Sequence, residues 1–106
     1  MNIIRYDKLV RDRIPEIIAA SGKSAVWDVL GETECRTKLL EKLTEETAEY
    51  TASQEAEELA DLLEVIYALA ELDGITPSQL EAIRQEKAAS RGGFSKRIRL
   101  LEVRNK

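Results

Sequence analysis

Glu46 and Glu49 stand three residues apart, as do Glu58 and Asp61. On an α-helix that spacing sets side chains about 60° apart around the axis, so each pair can grip one ion from a single helix. Between Leu43 and Ile83 the chain carries eleven acidic residues and neither Lys nor Arg. Like charges three or four apart on a helix cost roughly 0.2–0.5 kcal/mol per pair, so crowding of this kind calls for a compensating positive charge from elsewhere. Asp61 shows the problem most plainly, with Glu57, Glu58 and Glu64 among its helical neighbours. An all-oxygen donor set suits Mg²⁺, with Mn²⁺ as the alternative, better than Zn²⁺, which favours nitrogen and sulfur. The chain contains no histidine, which sets aside a di-iron bundle site built on Glu-x-x-His pairs and any serine–histidine hydrolase. General-base duty then falls to a carboxylate or to a water activated by metal. The competing reading is an acidic, solvated helical hairpin with no ligand.

The elements that must position these carboxylates are helices. Leu39, Leu40, Leu43 and Tyr50 recur at helical spacing and predict a first long helix from about residue 33 to 51. Its apolar stripe leads into Glu46 and Glu49, which therefore point toward a partner helix. A second helix is expected to start near Thr51 or Ser53, where Thr51 and Gln54 offer a capping box, and to run through Leu59, Leu62, Leu63, Ile66, Leu69 and Leu72 to Asp73-Gly74. Glu58 heads the stripe that continues with Leu62, Val65 and Leu69. A connection this short makes the two helices antiparallel neighbours, and four carboxylates then converge between them. Thr76-Pro77-Ser78-Gln79 predicts a third long helix, stopped before Gly92-Gly93, and Pro15 through Ala20 a short one ended at Gly22. Residues 25–30 and 94–103 have β-branched or alternating character and predict a small accessory hairpin beside an otherwise all-α antiparallel bundle.

A chain of 106 residues fits one domain spanning residues 1–106, with a core modest enough that homo-oligomer formation would help bury apolar surface. The net charge of −4 hides a partition. Residues 43–83 carry −11, while the remaining nine acidic groups stand against all sixteen basic ones. Separated fields of opposite sign suit a ligand that brings metal and phosphate together, such as a metal–nucleotide complex. The lone Cys35 cannot form an internal disulfide, and no signal-peptide pattern or long apolar run is present, so a cytoplasmic protein with no membrane role is expected. The tail from Arg84 to Lys106 carries eight basic and two acidic residues. It lacks any nucleic-acid motif and has Phe94 as its one aromatic, so no nucleic-acid partner is expected.

Glu45-Glu46-Thr47-Ala48-Glu49 followed by Glu58-Leu59-Ala60-Asp61 resembles the Glu-Glu-x-x-Glu … Glu-x-x-Asp signature of the MazG-like all-α nucleoside triphosphate pyrophosphohydrolases. Tyr6-Asp7-Lys8-Leu9-Val10-Arg11-Asp12-Arg13-Ile14-Pro15, Lys42-Leu43-x-Glu45-Glu46, Glu57 through Ile66 and Arg91-Gly92-Gly93-Phe94 are similar to the phosphoribosyl-ATP pyrophosphohydrolase-like branch. The eight residues between Glu49 and Glu58 are fewer than the superfamily spacing. The resemblance implies an α-helical bundle assembled as dimers or tetramers. It also implies Mg²⁺-dependent hydrolysis of a nucleoside triphosphate, non-canonical or deoxy forms included, to monophosphate and pyrophosphate in a house-cleaning role. Phosphoribosyl-ATP is the alternative substrate, and a non-catalytic oligomer that binds metal or nucleotide is the alternative function.

Carried onto this chain, the resemblance makes Glu46, Glu49, Glu58 and Asp61 the metal ligands and adds Glu45 and Glu46 as catalytic carboxylates. Glu45 lies about 40° from Glu49 around the helix, where it can serve a second ion, accept a proton from water, or be plainly exposed. A triphosphate also needs cations near its phosphates. The candidates are Lys8, Arg11 and Arg13 before the short helix, Lys42 one turn before Glu46, and Lys87 and Arg91 on the last helix. Lys42 can equally be a counter-ion for the acidic pair, and Lys87 and Arg91 an ordinary solvated face. Trp27 and Tyr50 are candidates for stacking on a base, or core and interface residues.

Overall fold

In the computed structural model, which describes residues 2–105, the chain folds into four helices in the order α1 (Ile14–Ala20), α2 (Glu32–Ser53), α3 (Ala56–Leu72) and α4 (Pro77–Arg91). The protein is all-α. The accessory hairpin expected from residues 25–30 and 94–103 is not formed: no strand occurs among the described residues. The apolar alternation of those segments meets no partner ladder, and Val26, Val29, Phe94, Ile98 and Val103 stay more than four-fifths exposed. An apolar alternation alone does not make a sheet, because a ladder needs a second strand within reach.

α2 and α3 form an antiparallel pair. Arg36, early in α2, donates to Asp73, just past the end of α3, at 2.5 Å, while the acidic residues near the other ends meet beside the connecting turn. That turn falls later than the sequence implied, at Gln54 and Glu55. Thr51 does not open the second helix; its hydroxyl donates to the Thr47 carbonyl at 2.8 Å inside α2. Gln54 takes a left-handed conformation (φ 57°) and its N–H bonds the Tyr50 carbonyl, closing α2 without a glycine. Glu55 then starts α3 with no side-chain cap on the helix. Glu57 and Glu58 lie in its first turn, where the helix dipole favours negative charge.

The other boundaries follow local chemistry. Ile75 N–H reaches the Ala70 carbonyl and Gly74 N–H the Glu71 carbonyl, both at 2.9 Å, with Gly74 at φ 73°. This paired bonding turns the chain from α3 toward α4. Thr76 and Gln79 form the expected reciprocal capping box, at 3.1 Å from the Gln79 N–H to the Thr76 hydroxyl and 2.9 Å from the Thr76 N–H to the Gln79 carboxamide. α4 ends at Arg91, where Gly92 adopts φ 83°. Pro15 opens α1, and Gly22 (φ 87°) follows its end.

The core lies along the α2–α3 seam and where α4 meets α3, and its buried members are Leu39, Val65 and Ala70. The protomer is drawn out to 72 × 32 × 22 Å with a radius of gyration of 19.1 Å, against about 13 Å for a compact chain of this length. No helix is long and apolar enough to cross a membrane among the described residues.

Candidate metal centre

α2 delivers Glu45, Glu46 and Glu49 from its last third, and α3 delivers Glu58 and Asp61 from its first turns. The antiparallel pairing turns these into one cluster. Carboxylate oxygens of Glu46, Glu58 and Asp61 lie within 4.8 Å of one another, as do those of Glu45, Glu46 and Glu49. Glu46 therefore belongs to both triads. It continues the stripe of Leu39 and Leu43, so the helix carries it into the seam where a leucine would otherwise sit.

Its environment reflects that placement. Glu46 Oε2 is buried and has no hydrogen-bond partner. Loss of water raises the Glu46 carboxyl above the usual carboxylate range, with Glu49 and then Asp61 adding to the effect. Burial likewise raises Glu58, followed by the charges of Glu49 and Asp61. A buried, unpaired carboxylate oxygen beside two further carboxylates is costly without a cation. The donor set and the orphaned oxygen fit a hard divalent ion of the Mg²⁺ or Mn²⁺ type, which Glu46, Glu58 and Asp61, with Glu49 alongside, could hold.

Part of the compensating charge comes from the other end of the sequence. Residues 7–11 cross the helix pair like a strap. Lys38 Nζ donates to the Asp7 carbonyl at 3.1 Å and pairs with its carboxylate at 3.2 Å. Lys8 Nζ donates to Glu45 at 3.1 Å, and the Arg11 guanidinium donates to Asp61 at 2.6 Å. Lys8 holds the Glu45 carboxyl below its usual range, through the hydrogen bond first and its charge second. The acidic hairpin is thus bridged at both edges by a basic segment.

The six cationic candidates separate on this geometry. Lys8 and Arg11 reach the cluster. Arg13, the residue just before α1, instead pairs with Glu16 of its first turn at 3.2 Å. Lys42 makes no ion pair among the described residues, but its charge lowers Glu45 and Glu46, so it lies near both. No hydrogen bond or ion pair among the described residues links Lys87 or Arg91 to the carboxylates. Tyr50 is half-buried in α2 and Trp27 is largely exposed outside the helices.

Two contributors escaped the sequence reading: Lys38, which anchors the strap, and Arg36, which clasps the far end of the hairpin. A signal for Lys38 existed. Lys38, Lys42, Glu45 and Glu49 form one row of α2 at helical spacing, so a cation two turns before the cluster was legible there. Concavities of about 270 and 480 Å³ lie beside Glu32, Arg36 and Leu72 and beside Tyr67, Ile75 and Pro77, not over the cluster. No family model, curated protein or solved structure matches this chain.

Proposed function

We propose that this protein is a Mg²⁺-dependent nucleotide pyrophosphohydrolase of the MazG-like type, splitting a nucleoside triphosphate into monophosphate and pyrophosphate. The observation that carries this reading is the convergence of Glu46, Glu58 and Asp61 within 4.8 Å across two helices, with one Glu46 oxygen buried and unpaired. Glu46, Glu58 and Asp61, with Glu49, would hold the ion. When bound, Mg²⁺ neutralises phosphate charge and polarises the phosphoryl oxygens.

The chain's own residues account for the remaining needs. Lys8 and Arg11 sit at the rim of the cluster on exposed ion pairs, which hold little energy and exchange readily for a stronger anion. A triphosphate offers that anion, and the two cations then hold its phosphates. Release of Lys8 removes the partner that depresses the Glu45 carboxyl, leaving Glu45 available as a base. In the reaction a water oxygen bonds to the α-phosphorus, its proton passes to Glu45, and the bond from the α-phosphorus to the bridging oxygen breaks. Pyrophosphate leaves with that electron pair.

Support also comes from the ordered motif blocks, because the strap that reaches the cluster is the Asp7-to-Arg11 stretch within the resemblance. Phosphoribosyl-ATP would present the same phosphates to the same residues. Incubation with Mg²⁺ and a panel of nucleotides, with separate detection of pyrophosphate and orthophosphate, tests the reaction and ranks its substrates.

A further inference from the structure

The basic strap over the carboxylates is held unevenly. Lys38 Nζ meets the Asp7 carbonyl at 3.1 Å, the Asp7 carboxylate at 3.2 Å and the Glu41 carboxylate at 3.8 Å. Its side chain is 20% exposed, whereas those of Lys8 and Arg11 are 49% and 58% exposed, each on a single carboxylate. Exposed ion pairs hold little energy. A half-buried ammonium that also grips a backbone carbonyl keeps its partner in place, because the carbonyl belongs to the chain and has no side-chain freedom of its own. The strap therefore has one firm end and two loose cations. From Asp7 to Arg11 the one residue that is not exposed is Leu9, which lies between those cations.

The place of Lys38 on α2 gives this hold its consequence. Lys38 and Glu45 lie about 20° apart around the helix axis and about 10.5 Å apart along it, so the anchor and the carboxylate that Lys8 meets share one row. Lys8 follows Asp7 directly, and its Nζ reaches Glu45 at 3.1 Å. The chain from Asp7 to Arg11 spans at most about 14 Å. With Asp7 pinned, the Arg11 backbone stays near the cluster even when its guanidinium lets go of Asp61. Because no Lys or Arg occurs between Leu43 and Ile83, the cations that bond the cluster arrive on this segment. A divalent ion at Asp61 displaces the guanidinium, and phosphates arriving with the ion find both cations still within reach.

We propose that Lys38 is a positioning residue for phosphate binding: it pins the strap at Asp7, so that Lys8 and Arg11 serve as tethered cations, resting on Glu45 and Asp61 until a metal-bound triphosphate draws them onto its oxygens. This role rests on the reading of the cluster as a metal–triphosphate site. Lys38 stands about two turns from the carboxylates and acts only through the strap. Without its ammonium the segment is tied at Leu9 alone, and Lys8 and Arg11 spend less time over the cluster. An ion then meets less competition there, and phosphates receive less help.

Lys38→Met keeps the apolar stem and removes the ammonium. In trypsin digestion of the full chain without ligand, cleavage after Lys8, which needs that side chain free, should quicken by about 5-fold, and Lys38→Arg should restore the slow rate. In calorimetry with Mn²⁺ alone, Lys38→Met should tighten binding by about 2–5-fold. The same substitution in a Lys8→Ala/Arg11→Ala background should change it by less than about 1.5-fold, since the strap then carries no cation to position. With Mg²⁺ and a nucleoside triphosphate that the protein hydrolyses, kcat/KM should fall by about 5–10-fold, through KM and not kcat. Should Lys38→Met not fold, Asp7→Ala, outside every helix, must move these readings in the same direction. An unchanged digestion rate, or a Mn²⁺ effect that persists in full when Lys8 and Arg11 are alanine, overturns the role of Lys38 whatever the turnover. Mn²⁺ bound by no form of the protein overturns the reading of the cluster and this role with it. Absence of turnover with the digestion and Mn²⁺ results as expected counts against the reaction and for the anchor.

Discussion

Arg11 donates to Asp61 at 2.6 Å across fifty residues of sequence, placing a guanidinium on a carboxylate that also belongs to the acidic cluster with Glu46 and Glu58. The same oxygen set cannot fully serve both the guanidinium and a divalent ion. Removing the guanidinium by Arg11→Ala should therefore strengthen Mn²⁺ binding in the absence of nucleotide by about 2–5-fold, the worth of an exposed ion pair. It should also weaken triphosphate use, lowering kcat/KM by about 10–100-fold for one lost charge-assisted hydrogen bond. Calorimetry with Mn²⁺ and steady-state kinetics read the two effects separately, and their opposite signs distinguish displacement from simple damage to the fold.

Glu58 tests the cluster itself. Glu58→Gln keeps the side chain's size and removes its charge, so turnover should fall by more than about 100-fold while the helical circular dichroism is preserved. Unchanged turnover would remove Glu58 from the site.

The pH dependence of stability has a definite sign. Glu46 and Glu58 are raised in the folded chain by burial and by neighbouring carboxylates, so folding disfavours their charged forms. Their contribution is most favourable below the ordinary carboxylate pKa and is lost as pH rises through that value to the raised one. Glu45, lowered by Lys8, works oppositely: its contribution is present above the ordinary value and lost as pH falls. In chelator, the thermal midpoint of Glu46→Gln should gain on that of the unmodified protein as pH rises from about 4 to about 7. Added Mg²⁺ should raise the midpoint of the unmodified protein at neutral pH more than that of the variant.

The capping box offers a test of the fold alone. Thr76→Ala leaves the Gln79 N–H without its side-chain acceptor at the start of α4 and should cost about 1 kcal/mol, read from chemical denaturation at fixed protein concentration.

The boundaries of α4 were legible because Thr76, Pro77, Gln79 and Gly92 act within one turn of the helix ends they define. The α2–α3 boundary was not. Thr51 satisfies its hydroxyl equally well on the carbonyl four residues back, and nothing in the composition announces a left-handed Gln54. The approach of Glu46, Glu58 and Asp61 was readable from periodicity, since helical spacing and one short turn bring them together, whereas Glu49 groups with Glu45 and Glu46 instead. The strap was not, because Lys38 meets Asp7 and Arg11 meets Asp61 through contacts 31 and 50 residues apart, which no local pattern encodes. Residues 25–30 and 94–103 misled because their apolar alternation, read as strand character, marks surface that this chain alone leaves uncovered.

Product analysis tests the central claim most directly. The purified protein is incubated with Mg²⁺ and canonical, deoxy and modified nucleoside triphosphates together with phosphoribosyl-ATP, and the nucleotide and phosphate products are separated. Attack at the α-phosphorus predicts nucleoside monophosphate and pyrophosphate in equal amounts. Nucleoside diphosphate with orthophosphate, or no turnover of any substrate by a folded and metal-loaded protein, would contradict it.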